Sequence, residues 1–442
     1  MIALLLKKNG ENYWKMLKKV IFKLGQKLRN PSLNNWFSFL KKSESWTLKE
    51  LENYQLLKLK ELVSVAYNNS KFYRNLFEEN GLSPSDINSL ADLKKIPIIS
   101  KEDLITKNKD IQVTLKATKF FKASTSGTTG QALNFLKDEF SDSFNRASMF
   151  RGYSWYKVNP WDKNGYFWGY NFSSKEKLKT RGLDVLQNRF RIFNFNDKQL
   201  KLFSNKLHDS VYVHGYSSAI YETAKKINRQ HFNKPLNLKM VKGTSEKIYE
   251  RYQDEIKKAF GQKMISEYGA AETGIIAFEC PSGNMHINME GVIVEEINEE
   301  IIITNLQMQS FPVIRYRLGD YVKLAPENKE CACGLKHLII EEVTGRIGAI
   351  VYGEKLTYPS LYFYYIFKNL AKQGVFLNYQ IVQNIKGKLN FFIEQDLSME
   401  HKKLLENEIE RYFKKDLKIK INTNFEFKTR EGKHKSFISN IL

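Results

Sequence analysis

Apolar residues recur at helical spacing along the early part of this 442-residue chain. Leu51, Leu59 and Leu62 belong to one such run, which starts at Thr47. Residues three, four, seven or eight positions apart share one face of a helix. The turn-forming sequence at 80–84 interrupts the pattern. The pattern therefore predicts that residues 47–95 are mainly helical.

A second helical pattern lies near the N-terminus and is strongly basic. Lysines at 15, 18, 19, 23 and 27 separate its apolar positions, which are Tyr13, Trp14, Leu17, Ile21, Leu24 and Leu28. This pattern predicts an amphipathic helix. Its apolar face either contacts a membrane surface, through residues 13–28, or packs on the body of the protein.

From about residue 110, short β-branched or aromatic runs alternate with helical stretches, as in α/β proteins with largely parallel strands. The runs are 120–122, 166–168, 211–213, 239–241 and 263–265. Closely spaced strands between 286 and 325 predict a more antiparallel β subdomain. Beyond Thr344-Gly345-Arg346 a strand pair and helices form a compact tail. We predict an α/β fold, with a large layered domain at 1–345 that begins with a helical segment at 1–100, and a small α+β domain at 346–442.

Composition narrows the classes of function. A hydrophobic fraction of 42% with 13% aromatics excludes a mainly disordered chain. The formal charge of +22 suits a nucleic acid, an anionic membrane or a polyphosphate substrate. Because the lysines are spread along the whole chain, we expect no nucleic-acid partner. Three cysteines cannot form a disulfide framework, and no run is long enough for a signal peptide or a membrane span. We expect a cytoplasmic protein, either free or at the inner face of the membrane.

Seven consecutive hydroxyl-bearing residues and glycines follow the strand-like run at 120–122. Glycines let a backbone approach an anion, while amides and hydroxyls donate hydrogen bonds to phosphate oxygens. The segment lacks the Walker pattern, and the alternative interpretation is a plain surface turn. The predicted phosphate-binding residues are Ser124, Thr125, Ser126, Gly127, Thr128, Thr129 and Gly130.

In this loop the sequence resembles the adenylate-forming enzymes. Within that superfamily it is similar to the phenylacetate-CoA ligases and to their relatives encoded with capsular-polysaccharide genes. The resemblance begins at Ala66–Arg74 and Leu93–Lys101 and continues nearly to the C-terminus. It implies that ATP activates a carboxylic acid as an acyl-adenylate, and that the acyl group is then transferred to CoA. It also implies that the small C-terminal domain is mobile.

The segment Glu267–Thr273 looks like the family's tyrosine-glycine-x-x-glutamate motif. Glu272 offers the oxygen ligand that Mg²⁺ prefers when ATP reacts at its α-phosphorus. Tyr268, next to Gly269, offers a ring face for adenine. Ser245 and Glu246 lie in a segment similar to the family's adenine-binding segment, which supplies polar contacts.

Three further residues take their roles from the resemblance. Asp320, after a predicted glycine turn, would accept hydrogen bonds from both ribose hydroxyls. Arg346 would lie near the ribose or phosphates at the start of the interdomain hinge. Lys433 matches the family's glycine-lysine signature and would neutralise negative charge during adenylation. Gly348-Ala349 replaces the aspartate pair of the family hinge, and Gln131 replaces a lysine of the phosphate loop.

All three cysteines and one of the seven histidines form a second constellation. Thiolate and imidazole are ligands that Zn²⁺ prefers, and four such ligands close a tetrahedron that leaves no position for a reacting water. Relatives of the phenylacetate-CoA ligase type carry the same order of ligands. We predict a structural zinc site at Cys280, His286, Cys331 and Cys333.

The residues leave two alternatives open. One is an AMP-forming ligase that joins an acid to a sugar or amino acceptor of a surface polysaccharide. The other is a zinc-stabilised binding protein whose catalysis has decayed, which Gln131 and Gly348-Ala349 would permit. The sequence does not identify the acid or its acceptor, or decide between a monomer and a homodimer.

Overall fold

The computed structural model describes residues 2–114, 119–125, 133–167, 174–192, 197–230, 235, 238–346, 350–427 and 436–441. Its α-helices are α1 (Ile2–Arg29), α2 (Leu33–Ser43), α3 (Leu48–Asn69), α4 (Lys71–Glu79), α5 (Lys101–Thr106), α6 (Asn108–Ile111), α7 (Glu139–Trp155), α8 (Ser174–Leu186), α9 (Asp197–Leu207), α10 (Ser217–Gln230), α11 (Gln253–Phe260), α12 (Leu361–Lys372) and α13 (Met399–Phe413). Its strands are β1 (Phe120–Ser124), β2 (Asn134–Asp138), β3 (Asn164–Phe167), β4 (Arg189–Arg191), β5 (Tyr212–Tyr216), β6 (Met240–Thr244), β7 (Met264–Ala270), β8 (Gly274–Glu279), β9 (Met285–Ile287), β10 (Val292–Ile297), β11 (Glu300–Asn305), β12 (Val313–Leu324), β13 (Ile339–Arg346), β14 (Ile350–Tyr352), β15 (Thr357–Pro359), β16 (Tyr379–Ile385), β17 (Lys388–Ile393), β18 (Lys418–Asn422) and β19 (Phe437–Ser439).

The helical pattern at 47–95 is confirmed by α3, α4 and two short 3-10 helices. Thr47 caps α3: its hydroxyl accepts from the Glu50 amide, and the Glu50 carboxylate accepts from the Thr47 amide at 2.7 Å. This reciprocal cap satisfies two amides that the helix cannot. Leu51, Leu59 and Leu62 are fully buried in a core shared with β8 and β10–β12.

One eleven-stranded sheet organises the chain, in the order β10-β11-β12-β13-β9-β8-β7-β6-β5-β3-β4. The strands β4, β3, β5, β6 and β7 are parallel, as the alternating pattern predicts. The next two pairs, β7 with β8 and β8 with β9, are antiparallel. The predicted antiparallel strands at 286–325 therefore extend the parallel sheet by hydrogen bonding. The mixed α/β fold is confirmed.

The strand at 120–124 differs from the expectation. Among the described strands it pairs with β2 alone, in a two-stranded antiparallel hairpin outside the large sheet. A short run that begins with two phenylalanines is compatible with a hairpin strand and with a buried parallel strand, so the sequence did not distinguish the two.

Helices α2 and α7 cover one face of the parallel strands. Trp36 of α2 makes an edge contact with Phe144 of α7, at 4.9 Å between ring centroids. Phe150 and Tyr153 of α7 share a buried cluster with Tyr212, Met240 and Ile265 of the sheet. Aromatic packing of this kind fixes the helices on that face.

Helix α1 forms as predicted, but its exposed apolar face differs from the expected one. Leu17 and Ile21 are half-buried, and Phe22 lies against Phe150 and Trp161. The side chains of residues 1–15, including Tyr13 and Trp14, lie outside the described ones. The exposed stripe is Met16, Val20, Leu24 and Leu28. None of the helices in the described ranges has the length and apolar character that crossing a membrane requires.

Contacts divide the chain into two compact units. The second unit comprises 249–254, 319–321 and 344–442. Within it, the strands β18-β17-β16-β19 form a four-stranded sheet. Phe363 of α12 and Ile409 of α13 are buried with Ile381 and Phe391 of that sheet. The unit thus has an α+β core of its own.

Candidate functional site

The turn between β7 and β8 carries a buried carboxylate. Glu272 is 2% exposed, and its Oε1 accepts a hydrogen bond from the Tyr316 hydroxyl at 3.1 Å. In the described ranges this is its one polar contact, and no Lys, Arg or His pairs with it there. A buried carboxylate without a counter-charge is costly, and a divalent cation is a partner that relieves the cost.

A close approach of backbones shapes this hairpin. The register shifts between Tyr268 and Gly269, and a β-carbon at Gly269 would overlap the Gly274 carbonyl oxygen. Only glycine fits there without moving a strand. Tyr268 is half-buried on β7, where it packs against the core shared with α3.

The segment after β6 holds a strained residue beside a capped helix. Ser245 is exposed and has a φ of 66°, a left-handed conformation that costs about 1–3 kcal/mol for a residue other than glycine. Glu246 accepts a hydrogen bond from the Ser218 amide at 2.9 Å. This carboxylate lies at the N-terminus of α10, where the helix dipole favours negative charge. Both residues are thereby held at the carboxyl edge of β6.

Only part of the predicted phosphate loop can be located. Ser124 ends β1, and Thr125 follows it. The Thr125 amide donates to the Leu133 carbonyl at 2.9 Å, and the Leu133 amide donates to the Thr125 hydroxyl at 3.0 Å. These bonds close the base of a hairpin. Ser126, Gly127, Thr128, Thr129 and Gly130 lie outside the described residues, as does Gln131.

The remaining nucleotide-site predictions fall partly outside the described ranges. Asp320 is 9% exposed and lies inside β12, so the expected glycine turn is wrong. The preceding Gly319 has a φ of 80°, a left-handed conformation that glycine adopts without steric cost. Arg346 ends β13, but its side chain is not among those described. Lys433 and Gly348-Ala349 lie outside the described residues.

The four predicted zinc ligands come together. The ligand atoms of Cys280, His286, Cys331 and Cys333 all lie within 4.8 Å of one another. The Cys280 and Cys331 sulfurs are 3.6 Å apart, and the Cys333 sulfur lies 3.2 Å from His286 Nε2. The edge of a tetrahedral zinc-thiolate site is about 3.8 Å for a Zn–S bond of about 2.3 Å. The donor set and its spacing therefore fit zinc.

Neighbouring groups orient these ligands. His286 Nδ1 lies 3.1 Å from the His337 carbonyl oxygen. A proton on Nδ1 serves that carbonyl and leaves Nε2 free for a metal. Burial, as the main cause, lowers the pKa of His286 to about 4, so the ring is neutral near pH 7. The side-chain Nδ2 of Asn284 donates to the Cys331 sulfur at 3.1 Å.

The sequence reasoning missed two features of this region. Tyr316, the partner of Glu272, was visible only as part of an arginine-tyrosine-arginine segment. The second is a buried ion pair between Lys242 of β6 and Glu267 of β7, at 2.5 Å. The one available signal was a lysine inside the apolar strand run at 240–244.

Comparisons with known proteins agree with the family resemblance. No protein-family model matches the chain. Protein CapK of Staphylococcus aureus is 25% identical over 300 residues, which cover 63% of this chain and 63% of CapK. The phenylacetate-coenzyme A ligase of Escherichia coli (strain K12) is 25% identical over 313 residues, covering 64% of this chain and 69% of that protein. The match to CapK thus spans less than two thirds of its length.

The fold is that of known acyl-CoA ligases. The crystal structure of 2-hydroxyisobutyryl-CoA ligase in the postadenylation state, in complex with 2-HIB-AMP, aligns with a TM-score of 0.69 at 16% identity. The alignment covers 90% of this chain and 92% of that one. At this identity the likeness concerns the fold, and it confirms the predicted fold class.

Proposed function

We propose that this chain, a homologue of CapK and of the phenylacetate-coenzyme A ligases with the fold of the adenylate-forming superfamily, is an AMP-forming acid ligase. In the first step a carboxylate attacks the α-phosphorus of ATP, which forms an acyl-adenylate and releases pyrophosphate. In the second step the thiol of CoA takes the acyl group and AMP leaves.

The observation that carries the proposal is the environment of Glu272. Its carboxylate is buried and held by Tyr316, and the described residues supply no cation for it. A Mg²⁺ ion at Glu272 would accompany ATP and draw electron density from the phosphate that is attacked. The buried position keeps the carboxylate in one orientation, since Tyr316 occupies one of its oxygens.

The other proposed roles follow the resemblance. Tyr268, beside Gly269, would stack on adenine, with the polar contacts supplied around Ser245 and Glu246. Asp320 would bind the ribose hydroxyls, while Arg346 would lie near the ribose or phosphates. The hydroxyls and amides from Ser124 to Gly130 would bind phosphate oxygens. Lys433 would offset the negative charge that develops during adenylation.

We propose that the cysteine and histidine cluster holds a structural Zn²⁺ ion. A metal there would tie the turn between β8 and β9 to the loop at 331–334, because its ligands come from both. All four donors would be used, which leaves no position for a substrate.

A second candidate changes only the acceptor. The resemblance to relatives encoded with capsular-polysaccharide genes favours an amide or ester ligase that transfers the acyl group to a sugar or amine of a surface polysaccharide. The adenylation step is the same in both candidates. They differ in whether the thiol of CoA, or an amine or hydroxyl of the other acceptor, takes the acyl group.

We also propose a peripheral membrane contact through α1. Met16, Val20, Leu24 and Leu28 are 60%, 47%, 58% and 79% exposed, at a spacing of four residues. Lys19, Lys23 and Lys27 are exposed beside this stripe. An apolar stripe beside lysines suits an anionic membrane surface. Sedimentation with vesicles of phosphatidylglycerol and phosphatidylcholine tests this contact, and binding that survives Leu24→Ser/Leu28→Ser would contradict it.

Product analysis tests the function. The protein is incubated with ATP, Mg²⁺, CoA and a panel of aryl and aliphatic acids, and the nucleotide and thioester products are separated. The proposal expects AMP and an acyl-CoA with at least one acid. AMP without a thioester, followed by a product when an amino sugar is added, would favour the second candidate. ADP as the nucleotide product would contradict both.

A further inference from the structure

A row of polar side chains crosses one face of the parallel strands. The strand register makes Arg191, Tyr166, His214 and Lys242 successive neighbours on β4, β3, β5 and β6. The rings of Tyr166 and His214 stack at 4.5 Å between centroids. Lys242 Nζ donates to Glu267 Oε2 of β7 at 2.5 Å. The row is therefore continuous from β4 to β7.

This row lies where the apolar core ends. Two residues earlier on their strands, Tyr212, Met240 and Ile265 are buried beneath α7. Two residues later, Tyr216 and Thr244 keep part of their surface exposed. The row thus lies near the carboxyl ends of the parallel strands, which is where open α/β sheets bind their ligands.

Fold stability does not account for the charges in the row. Lys242 is 1% exposed and Glu267 is 8% exposed. Both charges lose their hydration on folding, and apolar residues of similar volume commonly stabilise a core at least as well as such a pair. A ligand that uses the two charges would account for their presence.

His214 has no hydrogen-bonding capacity left for such a ligand. Its Nε2 lies 3.2 Å from Asn164 Oδ1, and its Nδ1 lies 3.4 Å from the Tyr153 hydroxyl. Because Asn164 Nδ2 donates to the Asp162 carbonyl, Asn164 Oδ1 is the acceptor. Nε2 therefore carries the proton, and Nδ1 accepts from Tyr153. Burial first, and then the charge of Lys242, hold the pKa of His214 well below its usual value, so the ring is neutral.

Lys242 and Glu267 do have unused capacity. An ammonium group has three N–H donors, and Glu267 accepts one of them. Among the described residues no oxygen or nitrogen acceptor meets the other two, although the ammonium lies 5.2 Å from the centre of the Tyr153 ring, and no donor meets Glu267 Oε1. A hydroxyl group satisfies both partners, because it accepts from the ammonium and donates to the carboxylate. A second carboxylate would instead be repelled by Glu267.

We propose that Lys242 and Glu267 are specificity residues that bind a hydroxyl group on the tail of the acid, so that the substrate is a hydroxylated carboxylic acid. This inference rests on the proposed function, which requires an acid to bind near ATP. Glu267 directly precedes Tyr268 on β7, so the two side chains leave opposite faces of the strand, and an acid bound at Glu267 would reach the ATP across the carboxyl edge of that strand. The acid tail would lie across the row, with its own carboxylate toward the ATP.

Matched pairs of acids that differ by one hydroxyl test the inference. The pairs are phenylacetate with 4-hydroxyphenylacetate, and butyrate with 3- and 4-hydroxybutyrate. Acid-dependent pyrophosphate exchange should favour a hydroxylated member at least about tenfold in kcat/KM, since the apolar member leaves buried polar groups unpaired. The double variant Lys242→Met/Glu267→Leu should abolish or reverse that ratio.

A control separates specificity from loss of a buried ion pair. Lys225 on α10 is 7% exposed and pairs with Glu222 at 3.1 Å, so Lys225→Met removes a comparable lysine from the same unit. This control should keep the wild-type ratio. If it changes the ratio as the double variant does, the effect is one of stability and the inference is overturned.

Direct binding distinguishes failure of the inference from failure of the proposed reaction. The shift in Tm caused by each acid is measured with α,β-methylene-ATP present, for the wild type and the double variant. A hydroxyl preference in binding without any exchange would support the polar site and contradict the reaction. Equal binding and exchange by both members of every pair would overturn the hydroxyl site alone. Absence of binding by all of these acids would overturn it as well.

Discussion

Glu272 and Tyr316 form the hydrogen bond that would prepare this carboxylate for the proposed metal. Tyr316 is 1% exposed and Glu272 is 2% exposed, so neither side chain has solvent to compete for the bond of 3.1 Å between them. The bond occupies Oε1 and leaves the remaining acceptor capacity of the carboxylate for a cation. Thr273, the next residue, has a buried hydroxyl without a hydrogen-bond partner among the described residues.

Substitution of Glu272 tests the metal assignment. Glu272→Gln keeps the shape and the bond from Tyr316 but removes the charge, so acid-dependent pyrophosphate exchange should fall by roughly 100-fold or more. Tyr316→Phe removes one hydrogen bond of about 1 kcal/mol and should lower exchange by about fivefold. Both are measured at saturating ATP over a range of Mg²⁺ concentrations. Full exchange activity in Glu272→Gln would contradict the assignment.

The sequence predicted a site most directly where it contains rare residue types that can bind a metal. Three cysteines and a histidine stand out by their rarity, and they do converge. Lys242 does not stand out, because it is one of 70 basic residues and its partner Glu267 is 25 positions away. Only the register of β6 on β7 brings the two together, and no local pattern reports that register.

At the scale of elements, the proposed zinc ion should stabilise the antiparallel strands that carry the cysteine and histidine cluster. Purified protein should contain about one equivalent of zinc. Cys331→Ser should lower Tm while ATP binding at low temperature survives, because the metal stabilises the fold and takes no part in the chemistry. Metal analysis and calorimetry measure the two effects. Freshly purified protein without zinc would contradict the site.

The contribution to stability of the contact between α7 and the segment after α1 should depend on pH. Asp142 of α7 is 4% exposed and accepts from Asn30 at 2.9 Å. Burial opposes its ionisation, but the charges of Lys137 and Arg146 outweigh that effect and lower the pKa of Asp142 to about 2. A carboxylate whose pKa falls on folding stabilises the protein above its unfolded pKa of about 4, and that contribution is lost as pH drops toward 2.

Asp142→Asn should therefore lower the free energy of unfolding by roughly 2 kcal/mol at pH 7. The difference from the wild type should shrink between about pH 5 and pH 2. Urea unfolding at several pH values measures it. A difference independent of pH would mean that Asp142 acts through packing or neutral hydrogen bonds.

The elements themselves were largely predictable, and their connections less so. The alternation of strands and helices predicted the parallel half of the sheet because each strand is a short apolar run between turns. The apolar run at 120–122 was equally compatible with a hairpin, and β1 forms one with β2. The apolar face predicted for α1 is divided, because Leu17 and Ile21 are half-buried whereas Leu24 and Leu28 are exposed.

At the scale of the whole molecule, the proposed reaction has two steps, adenylation and acyl transfer, and Lys433 should serve only the first. Lys433 would act while carboxylate attacks the α-phosphorus, and would not be needed once the acyl-adenylate exists. Lys433→Ala should therefore raise the free-energy barrier to adenylation by about 3–4 kcal/mol, while transfer from a synthetic acyl-adenylate survives. Equal loss of both steps would contradict this role, and unchanged activity in both would show that Lys433 takes no part.

The most direct test of the central claim is exchange of labelled pyrophosphate into ATP by the wild-type protein without CoA. Acid activation as an adenylate is reversible, so the account predicts exchange that depends on Mg²⁺ and on an added acid, and that needs no acceptor. The acid panel includes the hydroxylated pairs described above. A folded, ATP-binding protein that shows no exchange with any acid, or that forms ADP instead, would contradict the claim.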